Sequence, residues 1–285
     1  MKSPLVSLGM PVFNEDRFIR SALEALVNQD YDNFEINIYD NCSTDNTQSI
    51  CQEFSDKYSF IKYIRQPKNI GAAENFKYAQ ENATGKYFMW VAGHDLWSDN
   101  LITECVSALE SNPTATISFA TSNWIDEHSS PINSKQSGWA DTRGLSPIAR
   151  FHFCLWGNMH PILGLIRLQS LSESKPVQSV IGADLVVLSE LSLKGDFIHA
   201  QSAKWSRRHF REDESYRQRV KRYKSKSYSL LDKRIGNTFP ALNLAVELMK
   251  VVMRADLTIV IKTITLLVLL PTMTLKYLTS VGQTP

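Results

Sequence analysis

The chain has 285 residues, of which 43% are hydrophobic, 21% charged and 10% aromatic, a composition that excludes disordered, collagenous and disulfide-scaffold classes. The net charge of +2 conceals an asymmetry: residues 1–200 carry 15 Lys+Arg against 23 Asp+Glu, and residues 201–285 carry 16 against 6. A basic C-terminal part on an acidic body points to a polyanion or an anionic membrane as its neighbour. The four cysteines, Cys42, Cys51, Cys105 and Cys154, form no CxxC pair and have no histidine at zinc-finger spacing. They read as reduced thiols in a cytoplasmic protein. Pro4 and Pro11 interrupt the N-terminal apolar run, which argues against a signal peptide.

In chain order, Leu5–Met10 reads as a strand, and Ile19, Ala22, Leu23, Leu26 and Val27 fall on one face of a helix. Glu35–Tyr39 is a second strand. Ser43 or Thr44 is placed to cap a helix whose inner stripe is Thr47, Ile50, Cys51 and Phe54. A strand at Ile61–Ile64, a turn at Asn69–Gly71, a helix to about Ala83 and a strand at Tyr87–Ala92 follow. Next come a helix with Ile102, Cys105, Val106 and Leu109 inward and a strand at Thr116–Ala120. This βα alternation predicts an α/β fold with a mainly parallel sheet flanked by helices. Residues 126–147 lose all periodicity and read as a long loop. Ile162–Arg167 is expected to be a strand and Ala183–Leu193 an apolar helix.

Lys204–Lys226 holds ten Lys+Arg and reads as a solvated helical face or a polyanion-facing stretch; with few interleaved aromatics and no nucleic-acid-binding motif, nucleic acid is not an expected partner. Beyond Pro240, Asn243, Glu247, Lys250, Arg254, Thr258, Lys262 and Thr265 recur at helical spacing, giving an apolar rod with one narrow polar stripe. Asp256 lies off the stripe, where the rod is expected to break. Its apolar runs fall short of the roughly 20 residues a spanning helix needs, and Lys262 at a bilayer centre would cost about 2.5–3.5 kcal/mol. The rod is therefore expected to lie at a membrane interface or to pair with a partner helix, which leaves a homo-oligomer through these helices as the alternative.

The turn after the first strand is where an α/β sheet places its ligand. It reads Met-Pro-Val-Phe-Asn-Glu, with neither GxGxxG nor GxxxxGK[ST], so the glycine cradles for dinucleotides and ATP are absent. Asp40, at the end of the second strand, offers a carboxylate to a base N–H, or serves as a helix cap or turn residue.

Together the ordered motifs resemble family 2 glycosyltransferases with the GT-A fold. They are Met-Pro-Val-Phe-Asn-Glu, Tyr-Asp-Asn-Cys-Ser-Thr-Asp-Asn-Thr, Arg65 with Asn69-Ile-Gly71, and Ala-Thr-Gly-Lys-Tyr-Phe before Gly93-His94-Asp95-Leu96-Trp97. The resemblance extends to about His209. It implies a Rossmann-like GT-A domain over 1–210, with a nucleotide-sugar-binding half at 1–120 and an acceptor half at 121–210. Residues 211–285 then form a basic, amphipathic helical extension. It further implies a nucleotide diphosphate sugar held by Pro11, Asn14, Glu15, Asp40, Arg65, Asn69, Gly71 and Gly93, with uridine the expected base, and a glycan or lipid-linked acceptor. Localisation is then cytoplasmic or peripheral at the cytoplasmic membrane face.

The family's acidic metal motif, typically Asp-x-Asp, is altered: His94 falls where the metal-binding carboxylate would sit, followed by Asp95. Imidazole suits manganese better than magnesium, so a divalent metal of the manganese kind held by His94, Asp95 and a late His209 is expected. Hydrogen bonding of His94 within its turn is the competing reading. Asp184, in Ile-Gly-Ala-Asp-Leu, matches the family's catalytic base for an inverting transfer, or caps the helix it opens. A non-catalytic scaffold or polyanion-binding module of the same fold is the alternative function.

Overall fold

The computed structural model describes residues 3–133, 141–157, 160–174, 182–210 and 240–280. Its first half alternates strand and helix as the sequence predicts: β1 (Val6–Val12), α1 (Ile19–Val27), β2 (Phe34–Asp40), α2 (Thr47–Lys57), β3 (Ile61–Arg65), α3 (Ala72–Glu81) and β4 (Tyr87–Trp90). Then follow β5 (Leu96–Trp97), α4 (Leu101–Ser111), β6 (Ala115–Ile125), α5 (Pro147–Trp156), β7 (Leu165–Arg167), α6 (Leu168–Ser172), α7 (Ala183–Lys194) and β8 (Asp196–Arg208). Two helices, α8 (Pro240–Arg254) and α9 (Ile259–Ser280), end the described chain. Their boundary falls at Asp256, where the polar stripe predicts a break.

The strands form one mixed sheet in the order β3-β2-β1-β4-β7-β6-β8-β5. The β3-β2-β1-β4 half is parallel, and β7 enters antiparallel to both β4 and β6. Strands buried on both faces read as unbroken apolar runs, and all four residues of β4 are buried. One core packs Leu8, Ile36 and Leu165 of the sheet against Leu23 of α1 and Val106 of α4. A second, on the opposite face, joins Phe88, Phe119, Phe151 and Leu188 to Leu248 and Val252 of α8 and Leu269 of α9. The C-terminal helices therefore complete a core that the sheet begins.

Several local expectations change. The expected strand at 162–167 shortens to β7 behind a 3-10 turn at His160–Leu163, because Pro161 has no N–H to give a ladder while its carbonyl accepts from Gly164 N. Helix α2 starts at Thr47 with Asn46 as its N-cap; Ser43 and Thr44 are taken by Asp40 and Asn14 instead. Helix α5 carries a start signal, Ser146 accepting from Ala149 N with Pro147 behind it. Strand β8 makes Lys204–Arg208 extended where the basic run reads as a helical face, and the rest of that run and the start of the helical extension, 211–239, lie outside the described residues; β8 pairs parallel with β6 and bulges between Ala200 and Lys204. The bulge re-aims the strand, and its end pairs antiparallel with β5, Trp97 opposite Trp205. All four cysteines are free, and burial pushes the Cys51, Cys105 and Cys154 thiols up to about 12, which leaves them inert.

Candidate functional site

The carboxyl ends of β1 and β2 are adjacent, with Pro11 opposite Tyr39 and Val12 opposite Asp40. The loops that leave them are stitched together. Asn14 sits at φ +54°, a conformation asparagine tolerates better than most residues. Its N–H donates to Ser43 Oγ at 2.9 Å, and its Oδ1 accepts from Thr44 N at 2.8 Å. Glu15 N donates to Thr47 Oγ1 at 2.8 Å. Asp40, fully buried, accepts from Ser43 N and Oγ on one oxygen (2.8 and 2.5 Å) and from Tyr63 OH and Arg65 Nη1 on the other (2.6 and 2.8 Å). Four donors fill the usual acceptor capacity of a carboxylate, so the charge of Asp40 first orders this loop, and a ligand N–H would have to share it. Burial, then the bond to Asp40, raises the Tyr63 hydroxyl pKa.

Arg65 also donates to Ser43 O at 2.9 Å. Asn69 is fastened on both sides: its Oδ1 accepts from Asn41 Nδ2 at 3.0 Å and from Gly71 N at 2.9 Å. Asn41 Oδ1 in turn accepts from Ile70 N. Gly71 holds φ +92° as the N-cap of α3, a geometry that strains any side-chain-bearing residue. Tyr63 and Asn41 join the site only once the chain is folded. A strand tyrosine and the second residue of an Asp-Asn pair carry no signal until the strands are paired.

The turn after β4 meets the same crevice. A Cβ on Gly93 would lie 3.0 Å from Val12 Cγ1 and 3.3 Å from Glu15 Cγ, so glycine lets the β1 loop press against this turn. His94 Nδ1 is 3.2 Å from both oxygens of Glu15. A carboxylate only accepts, so Nδ1 carries the proton, and Nε2, 3.9 Å from Asp95 Oδ1, is the ring atom left for an ion. Asp95 is buried, its Oδ2 accepting from Trp205 Nε1 at 2.8 Å and its Oδ1 from Arg208 N at 2.9 Å. The buried Arg208 guanidinium donates to the carbonyls of His94 (2.8 Å) and Asp126 (2.8 Å) and to Ser129 Oγ (3.0 Å). Burial lowers its pKa, opposed by Asp95 and Asp126. Strand β8 thus clamps the His94–Asp95 turn from behind, a link of more than a hundred residues that no sequence window reaches.

The expected metal set is brought together only in part. His94 and Asp95 converge, whereas His209 packs its ring edge-on to Trp124, centroids 5.8 Å apart, with its N–H on Ile125 O. Among the described residues no three His, Cys, Asp or Glu side chains gather into a metal cluster. The donors present suit an ion that takes its remaining ligands from a bound diphosphate. A carboxylate behind the imidazole, the place Glu15 occupies, is the usual support of a metal-binding histidine.

Asp184 stands in the first turn of α7, after Gly182 in the left-handed region at φ +83°. Solvent reaches its side chain, yet the chain around it raises the carboxyl pKa by desolvation, and the charge of Arg207 acts the other way. Arg207 lies over the Trp124 ring at 4.6 Å. Trp124 lines a cavity of about 550 Å³ together with Asn123, Ile125, Pro131, Ile132, Asn133 and Ser206. Arg207 thus stacks on a residue that lines this cavity, and its charge acts on Asp184.

Residues 7–156 match the family described as Glycosyl transferase family 2. An uncharacterized glycosyltransferase of Rickettsia typhi is 32% identical over 107 residues, 38% of this chain and 32% of its own length. The putative teichuronic acid biosynthesis glycosyltransferase TuaG of Bacillus subtilis is 32% identical over 94 residues, 33% of this chain and 37% of its own length. The chain thus spans about a third of the length of these relatives. Among solved structures, S. aureus TarS 1–349 in complex with UDP-GlcNAc superposes with a TM-score of 0.66 at 16% identity, covering 94% of this chain and 72% of that one. The mannosyltransferase PcManGT of Pyrobaculum calidifontis, in complex with GDP-Man and Mn2+, gives 0.58 at 15% identity, covering 98% and 88%. At these identities the likeness is one of fold, the GT-A architecture.

Proposed function

This chain belongs to glycosyl transferase family 2, and from that premise we propose that it moves a sugar from a nucleoside diphosphate donor to an acceptor hydroxyl with inversion. The observation that carries the reading is the convergence of the loops after β1, β2 and β4 on one crevice, held by the Asn14–Ser43, Asp40–Arg65 and Glu15–His94 contacts. Pro11, Asn14, Asp40, Arg65, Asn69 and Gly71 bound the nucleotide end, and Gly93, His94 and Asp95 the diphosphate end. Asp184 is the base. It removes the acceptor O–H proton as that oxygen attacks the anomeric carbon, and the bond from that carbon to the diphosphate breaks with its electrons on the leaving phosphate oxygen.

A single displacement of this kind inverts the anomeric centre. A divalent ion, manganese before magnesium, would be held by His94 with Asp95 beside it; when bound it neutralises the leaving diphosphate. A glycan or lipid-linked acceptor is received at the Trp124 cavity, whose aromatic ring and asparagine amides suit a sugar. Lipid-linked acceptors would be met at a membrane surface.

Thermal unfolding with uridine, guanosine and thymidine diphosphates, with and without manganese, tests the donor site. A cognate nucleotide at 100 times its Kd should stabilise the chain by about 2.7 kcal/mol. If no nucleotide moves the midpoint under either condition, the donor site is wrong. Glu15→Gln replaces the acceptor behind His94 Nδ1 with a group that fixes the ring less well. Manganese affinity measured by electron paramagnetic resonance should then fall by about 10–100-fold, the usual loss when such a support is removed. Equal manganese binding by parent and variant would remove His94 from the metal site.

A further inference from the structure

The two C-terminal helices present different outer faces. Helix α8 is an ordinary surface helix: Leu248, Val251 and Val252 point into the core, and Lys250 and Arg254 point out. Helix α9 is apolar on both sides, with Leu266, Leu269 and Met273 inward. Its inward positions include two threonines, Thr265 at 0% exposure and Thr272 at 9%, beside Leu269. Thr265 Oγ1 must turn back to Ile261 O at 2.8 Å to be satisfied. Outward lie Ile259 and Leu267, each 71% exposed, with Val260, Ile264, Val268 and Leu270 between them. This face, aliphatic but for Thr263 and Thr274, whose hydroxyls turn back to Ile259 O and Leu270 O, is more than the scattered apolar exposure of a soluble surface.

We propose that this face of α9 lies in the interfacial layer of an anionic lipid membrane, parallel to its plane. At about 1.5 Å per residue the 22-residue helix is roughly 33 Å long, yet no described helix is long and apolar enough to cross a membrane. An in-plane helix needs an apolar face and cationic flanks. Lys262, its Nζ on Met253 O at 2.9 Å, and Arg254, 3.6 Å from Glu190, stand at the α8–α9 corner, and in sequence residues 201–285 carry 16 Lys+Arg against 6 Asp+Glu, with 211–239 outside the described residues. That charge selects the occupant: an anionic leaflet attracts it, whereas a second copy of this chain would set the same excess of positive charge against itself. The inference deepens the proposed function by naming the surface on which a lipid-linked acceptor is met. It rests on that reading only for its purpose, because binding to vesicles is read without donor or transfer.

The test is sedimentation of the full chain with phosphatidylcholine vesicles, with and without phosphatidylglycerol, against the double variant Leu267→Glu, Val268→Glu. Both positions are exposed, so the variant should keep the parent's unfolding midpoint, and an unchanged circular dichroism melt verifies that. The parent should pellet with anionic vesicles and be partly released at 1 M salt, where the screening length falls to about 3 Å. The variant's bound fraction should fall by about tenfold or more, since two charges replace inserted aliphatic groups. Parent and variant binding alike, the parent remaining in the supernatant, or equal binding to neutral vesicles would each overturn the proposal. So would light scattering that finds a salt-insensitive dimer lost in the variant, which would make α9 a subunit interface.

Discussion

Asp184→Asn is expected to lower glycosyl transfer by about 10²–10⁴-fold, the contribution of a positioned proton-transfer group, with nucleoside diphosphate affinity unchanged. The amide keeps the shape of the carboxylate and loses its basicity, so the loss appears in kcat and in kcat/KM together. Desolvation raises the Asp184 pKa and Arg207 opposes it, which fixes the sign of the pH dependence. The base works only when ionised, so activity falls as pH drops through a pKa above that of an ordinary aspartate. Arg207→Ala removes the charge that favours the carboxylate. The acid limb of the profile should then move to higher pH, with the plateau reached later. A variant as active as the parent, or an acid limb that shifts downward in Arg207→Ala, would take Asp184 out of the proposed mechanism.

Asp95→Ala should cost about 2–6 kcal/mol of stability, because two buried donors, Trp205 Nε1 and Arg208 N, each lose a partner at about 1–3 kcal/mol. The consequence is local as well as global. Trp205 and Arg208 belong to the end of β8 that pairs with β5 and holds the His94 carbonyl, so the variant should also loosen the turn that faces the diphosphate. Urea unfolding reads the first effect as a lower midpoint at unchanged slope. A midpoint equal to the parent's would mean that these donors find water or other acceptors, and that Asp95 is not the anchor of the turn.

The parallel half of the fold was legible because its signals are local. Strands such as Tyr87–Ala92 are short apolar runs, the helices between them repeat their apolar residues at helical spacing, and the ligand end of such a sheet follows from strand direction alone. The residues from Pro11 to Asp95 are named by the family resemblance of their motifs, and the break at Asp256 follows from the polar stripe. Local signals stop where a residue's partner is distant. Asp95 ends an altered acidic motif, which points to a metal ligand. Pairing β8 with β5 brings Trp205 and Arg208 onto both of its oxygens.

His209, near Asp95 in the motif logic, is drawn to Trp124 by the same strand. The 241–270 rod shows the division most plainly. Its hydrophobic period and its break are properties of the chain itself. Which face of α9 turns inward was decided by the neighbours, since Leu269 found a place in the core between α5 and α8 and carried Thr265 and Thr272 in with it. An amphipathic pattern states that two faces differ, and only the packing partner determines which of them meets solvent, because burial is rewarded by the area the whole assembly removes from water and not by the helix alone.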